Sequence, residues 1–74
     1  GGHNIALEGY KNSHPVKIGA HVWLCSGCQI MPGCHIQDGA IIGANSVVSG
    51  KVKAHTLVTG NPVRVVDNDV FWNL

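Results

Sequence analysis

Cys25, Cys28 and Cys34 are all the thiols of the chain, and His35 directly follows the last of them. Their types and spacing could serve a zinc ion, or a redox couple built on Cys25 and Cys28. Either chemistry requires the groups to meet at one point. Zinc holds each thiolate about 2.3 Å away, in a fixed geometry. Whether these side chains converge depends on the elements that carry them.

Length and composition narrow those elements. At 74 residues the chain makes at most one small domain. A chain of that size buries only about 60% of its unfolded surface and leans on staples, metals or partner chains. Three cysteines cannot all pair within one chain, so a disulfide scaffold is not expected and a reducing, cytoplasmic setting is. The net charge of +1 gives no footprint for nucleic acid. The sequence shows no apolar run long enough to cross a membrane and no charged leader followed by an apolar stretch. Gly1-Gly2 could be a cloning remnant, and the chain could be a fragment of a longer protein.

The repeat decides the fold class. Every sixth residue from Ile18 is apolar: Ile18, Leu24, Ile30, Ile36, Ile42, Val48 and Ala54. Four residues after each stand Val22, Cys28, Cys34, Ala40, Ser46, Val52 and Val58, all small or β-branched. Between them, at His21, Gly27, Gly33, Gly39, Asn45, Lys51 and Leu57, the middle four are Gly or Asn, which tolerate a left-handed turn. A helix would need three- and four-residue steps, and these glycines would break it. The period of six predicts an all-β chain, a parallel β-helix of hexapeptide repeats. Residues 18-59 form the coil, with an N-terminal loop segment over 1-17 and a C-terminal tail over 60-74.

The stretch "IGAHVWLCSGCQIMPGCHIQDGAIIGANSVVSGKVKAHTLVTGNPVRVV" resembles the hexapeptide-repeat acyltransferases, most closely the sugar and small-molecule O-acetyltransferases. The "IGxxVW" opening, the "GAxIGAxSVV" middle and the "GNPxRVV" ending match in order. The resemblance covers about residues 14 to 66. It implies a left-handed parallel β-helix, an exception to the usual right-handed crossover. It also implies three hexads to a triangular coil, so that the seven hexads make about two and a third coils, together with a homotrimer and acetyl-CoA as co-substrate. Residues eighteen apart should then stack: Ile18 on Ile36 and Ala54, Leu24 on Ile42, Ile30 on Val48. The apolar tail Val70-Phe71-Trp72 should pack on a neighbouring coil or subunit.

In that frame the thiols separate. Cys28 and Cys34 fill small inward slots on different faces, near Ser46 and Val52, as small hydrophobes. Cys25 points outward at a position where the family usually carries Gly. It either borders the cofactor channel or is simply an exposed thiol. No metal site is expected from the cluster.

The resemblance also implies a chemistry. A histidine takes the proton of an acceptor hydroxyl while its oxygen attacks the thioester, and donors stabilise the oxyanion. His3, upstream of the "IGxxVW" motif, is the first candidate base, with His14 as the alternative. His21 and His55 are read as surface residues. Trp23 matches the family's "VW" tryptophan and borders the acceptor pocket at a subunit cleft. Ser26 and Ala44, eighteen apart and both small, should line the pantetheine arm. Lys51 and Arg64, with Lys53, are candidates for the phosphates of coenzyme A, although the family's "TKD" turn reads "SGK" here. The acceptor is a small molecule with a sugar-like hydroxyl. Two other readings compete: a non-catalytic β-helix trimer with a structural or binding role, and a zinc hydratase resembling the γ-class carbonic anhydrases. The "GNPxR" ending favours the transferases over the hydratase.

Overall fold

The computed structural model describes residues 14–72. Nine strands make up the regular structure, and no helix occurs among the described residues. β1 (Lys17–Ile18), β2 (Trp23–Leu24) and β3 (Gln29–Ile30) form the first turn of the coil. β4 (His35–Ile36), β5 (Ile41–Ile42) and β6 (Val47–Val48) form the second. β7 (Lys51–Val52) and β8 (Leu57–Gly60) carry the chain around two further sides. β9 (Val63–Asp67) then turns back against β8.

The strands stack into three flat sides. β1, β4 and β7 make one sheet, β2, β5, β8 and β9 a second, and β3 with β6 a third. All pairs between successive coils are parallel, and only β8 with β9 is antiparallel. Each strand is two residues long through most of the coil because each side must end in a corner. The corners come from left-handed backbone: φ is positive at His21, Gly27, Gly33, Gly39, Asn45, Gly50 and His55. Corners also bond from coil to coil. Gly39 N–H donates to Ala20 O at 3.0 Å, His55 N–H to Asp38 O at 3.0 Å, and Asn45 N–H to Ser26 O at 3.0 Å.

Side chains that point into the prism make the core. Cys34, Ile36, Ala40, Ile42, Ser46 and Val48 are fully buried, with Val52, Thr56 and Val58 nearly so. Burying each large aliphatic is worth about 1.5–3 kcal/mol. The first coil is less covered: Ile18 is 46% and Leu24 40% exposed although both face inward in register.

The register of the last turn corrects the expectation from strict sixes. Ile18 does pair with Ile36, Leu24 with Ile42 and Ile30 with Val48. Beyond them Ile36 pairs with Val52, not Ala54, and Ile42 pairs with Val58. The step falls from eighteen to sixteen because Ser49 and Gly50 stand where the other corners hold two more residues. The left-handed corners of that turn are accordingly Gly50 and His55 rather than Lys51 and Leu57. Cys34 therefore lies one rung from Gly50, whose carbonyl accepts the His35 N–H at 2.8 Å.

After β9 the chain crosses to the corner between the first two sides. Val70 N–H donates to His55 O at 2.8 Å, and Phe71 and Trp72 lie along that corner. Within this chain the apolar tail thus packs on its own coil.

Candidate functional site

The three cysteines do not converge. Cys25 follows β2 and is half-buried, Cys28 precedes β3 and is half-buried, and Cys34 precedes β4 and is buried. All three are free thiols. Burial pushes the Cys34 thiol above its ordinary value of 9.0, while a backbone hydrogen bond from His35 pulls the other way. Desolvation dominates, because a thiolate in the prism would lose water and gain little in return. Cys28 packs against the core cluster. Among the described residues, no three His, Cys, Asp or Glu side chains gather where they could share a metal ion.

Trp23 stands on the second side, half exposed at 50%. Its ring lies 5.5 Å from that of Trp72 at a 45° tilt. Trp72 is fixed from two other directions. Its Nε1–H donates to Gly39 O at 3.2 Å, and its ring meets His21 edge-on at 3.9 Å. Beside it His55 stacks on Phe71, 4.2 Å between ring centres and 26° between planes. His21, Gly39 and His55 are successive rungs of one corner, so the tail clasps a vertical row of the coil. A shallow groove of about 250 Å³ lies between these rings and Gly39. His21 and His55 are thus on the coil surface and also hold the tail. Their spacings of eighteen and sixteen were the signal for that shared corner, hidden by the short last turn.

Ser26 and Ala44 occupy the next corner, between the second and third sides. The Asn45 N–H on Ser26 O places the two in stacked rungs. Along the adjoining edge run Cys25, Gly43 and Thr59: Cys25 N–H donates to Ile42 O at 2.9 Å, and Gly43 N–H to Val58 O at 2.8 Å. A Cβ on Gly43 would fall 2.8 Å from Thr59 Oγ1, so this edge is kept low by glycine. Arg64 continues that side one strand further, paired in register with Thr59. Ser46, buried at the same corner, accepts the Gly60 N–H at 3.1 Å and ties the β8–β9 turn to the coil.

Lys51 lies elsewhere. It sits on β7 in the first side, outward beside His35 in register. With Lys53 it borders a groove of about 350 Å³ floored by Val52, Val58 and Val63. One chain therefore brings Ser26, Ala44 and Arg64 to one side of the prism and leaves Lys51 on another. His14 is at the remaining corner, where its carbonyl accepts the Gly33 N–H at 2.8 Å. That corner is not the one that Trp23 adjoins. His3 lies outside the described residues.

Comparison with known proteins gives concordant matches. The family described as "Bacterial transferase hexapeptide (six repeats)" matches residues 15–50. A Staphylococcus aureus protein that bears an acetyltransferase name is 41% identical over 66 residues, covering 85% of this chain and 33% of the relative. The crystal structure of a maltose O-acetyltransferase from Clostridium difficile 630 matches with a TM-score of 0.73 at 45% identity, over 76% of this chain and 30% of that one. A galactoside acetyltransferase in complex with coenzyme A matches with a TM-score of 0.73 at 37% identity, over 90% of this chain and 36% of that one. The chain thus spans about a third of the length of the relatives it matches.

Proposed function

Because the chain belongs to the hexapeptide-repeat acyltransferases, built on a left-handed parallel β-helix, we propose that it moves an acetyl group from acetyl-CoA to a hydroxyl of a sugar-like acceptor, at sites between the subunits of a homotrimer. The observation that carries this reading is the low edge of Cys25, Ser26, Gly43 and Ala44 beside Trp23, on a coil that superposes on an acetyltransferase holding coenzyme A. Small residues in stacked rungs let a thin pantetheine arm lie close to the backbone. The half-exposed Trp23 offers the adjoining acceptor an apolar face.

The chemistry needs no covalent enzyme intermediate. The imidazole of His3 takes the acceptor's hydroxyl proton as that oxygen attacks the thioester carbonyl carbon. The carbonyl oxygen gathers negative charge, and the backbone N–H of Ser26 is the donor assigned to it. The C–S bond then breaks, the carbonyl reforms, and the coenzyme A thiolate takes the proton back from the imidazolium. Arg64 lies on the same side as Ser26 and Ala44 and suits a phosphate of the cofactor. Lys51, on another side, would serve a cofactor across the subunit boundary. His14, at a corner that Trp23 of the same chain does not adjoin, is the alternative base. The free cysteines suit a cytoplasmic setting for this reaction.

The test is direct. Coenzyme A binding is measured by calorimetry, and thiol release from acetyl-CoA is followed over a panel of sugar acceptors. Binding in the micromolar to millimolar range with acceptor-dependent thiol release is expected. No binding at millimolar coenzyme A would end the proposal.

A further inference from the structure

We infer that the C-terminal end of the coil binds a single-chain alkyl anion of the fatty-carboxylate kind, its head between Lys51 and Lys53 and its chain on the valines beside them. This site is separate from the acetyl-transfer reading above. Three observations carry it.

The first is a pair of backbone donors. Along the first side, each strand donates its N–H groups toward the C-terminal end. Lys17 N–H goes to Cys34 O at 2.9 Å, His35 N–H to Gly50 O at 2.8 Å, and Gln37 N–H to Val52 O at 2.9 Å. β7 is the last strand of that side. The same direction turns the N–H groups of Lys51 and Lys53 toward the end of the prism, and no acceptor meets either among the described residues. Unspent donors beside cations suit an anion.

The second observation is charge. Lys51 and Lys53 both line the groove of about 350 Å³ at this end, and no carboxylate lines it. Lys17, His35 and Lys51 also stand in register down the first side, all exposed. Like charges set opposite one another in a sheet repel, and an anion at the lower end of the column offsets that cost.

The third observation is the floor. The third side has only two strands, so the groove opens beside the inward Val52 and Val58, and Val63 and the exposed Val65 complete it. At about 30 Å³ for each non-hydrogen atom, it takes about a dozen of them, the size of decanoate. An inorganic anion would leave the valines in water. An uncharged apolar molecule would cover the ammonium groups and give them no partner. A second copy fits poorly. Continuing the coil end to end would set Lys17 of one chain beneath Lys51 of the other, and two such ends face to face would set the lysines against themselves. Either contact buries like charges, and lysine on a strand edge itself blocks pairing.

Calorimetry on the whole chain with hexanoate, octanoate and decanoate, below micelle formation, reads the affinity. Each added pair of methylenes should tighten binding about five- to fifteenfold. Octylammonium and acetate should not bind measurably. Lys53→Gln and Val65→Asp, both changes at exposed residues, should each weaken octanoate about fivefold or more. The amide resonances of Lys51 and Lys53 should shift as octanoate is added, and coenzyme A should not displace it. Octylammonium binding as well as octanoate would overturn the anion site, and acetate binding as well would overturn the alkyl groove. Octanoate binding that ignores both variants would lie elsewhere and overturn the assignment. Displacement by coenzyme A would give the lysines to the cofactor and overturn a separate site. An association of chains that octanoate dissolves would assign the groove to a second copy, and would overturn the inference too.

Discussion

Replacing Gly39 by alanine tests the corner on which both the fold and the tail depend. Two costs arise there. Gly39 has φ +76°, and a left-handed L-residue costs about 1–2 kcal/mol. The new Cβ would also stand 2.6 Å from His55 Nδ1 and 2.7 Å from its Cε1. His55 cannot simply give way, because Phe71 is stacked on it. Losing that ring contact costs about 0.5–1.5 kcal/mol, and overpacking adds a further amount of about 1 kcal/mol or more. Gly50→Ala is the control: its φ is +75° and a Cβ there meets nothing within 4 Å. Gly50→Ala should therefore cost about 1–2 kcal/mol and Gly39→Ala about 2.5–4.5 kcal/mol. Urea unfolding at one fixed protein concentration measures both, since association changes the apparent stability. Gly39→Ala should also shift tryptophan emission in the folded state as Trp72 loses its seat. Equal losses in the two variants, with unchanged emission, would show that the corner does not hold the tail.

Four further outcomes are expected. Ser46→Ala removes the acceptor of the Gly60 N–H, so it should cost about 1–2 kcal/mol and speed hydrogen exchange at Gly60. Cys34 binds its proton more tightly folded than unfolded, so its contribution is full below pH 9.0 and is lost as pH rises through the raised folded value. Stability of wild type should therefore fall more steeply above pH 9.0 than that of Cys34→Ala, as read from unfolding midpoints across that range. A thiol reagent should modify half-buried Cys25 well before buried Cys34, with coenzyme A slowing the reaction at Cys25, as read by peptide mass mapping. His3→Ala should lower the rate of acetyl transfer by about 10²–10⁴-fold while leaving coenzyme A binding intact.

Much of the coil was legible because each hexad repeats the same demand: a bulky inward side chain, a left-handed corner, a small inward side chain. Ile36, Ile42, Val48, Cys34 and Ala40 sit where that demand puts them. The last turn was not legible from counting alone. Val52 and Val58 look like small-slot residues in strict sixes, and the structure makes them the bulky ones. The Ser49-Gly50 pair was the available signal, since a glycine one place early shifts the corner. The separation of the cysteines followed from the repeat together with the triangular coil that the resemblance implies, without any knowledge of contacts. The clasp of Phe71 and Trp72 did not, because their partners His21 and His55 become neighbours only through the shortened turn. Ser26 and Ala44 were legible as a stacked pair, whereas the distance of Lys51 from them is a matter of which side of the prism its strand joins.

The shortened corner has a consequence of parity. From Ser46 to Val52 the inward places fall on even numbers, with Ser46, Val48 and Val52 buried, Val47, Ser49 and Lys51 more exposed, and the left-handed, exposed Gly50 as the one break. Losing two residues is a whole cycle of that alternation, so every later side chain keeps its sense. Losing one would be half a cycle and would turn Val52, Thr56 and Val58 outward together. Corners of this solenoid can therefore change length by pairs while its sides cannot change at all. A two-residue edit at Ser49-Gly50 slides the sequence by one pair yet leaves the same faces looking in and out.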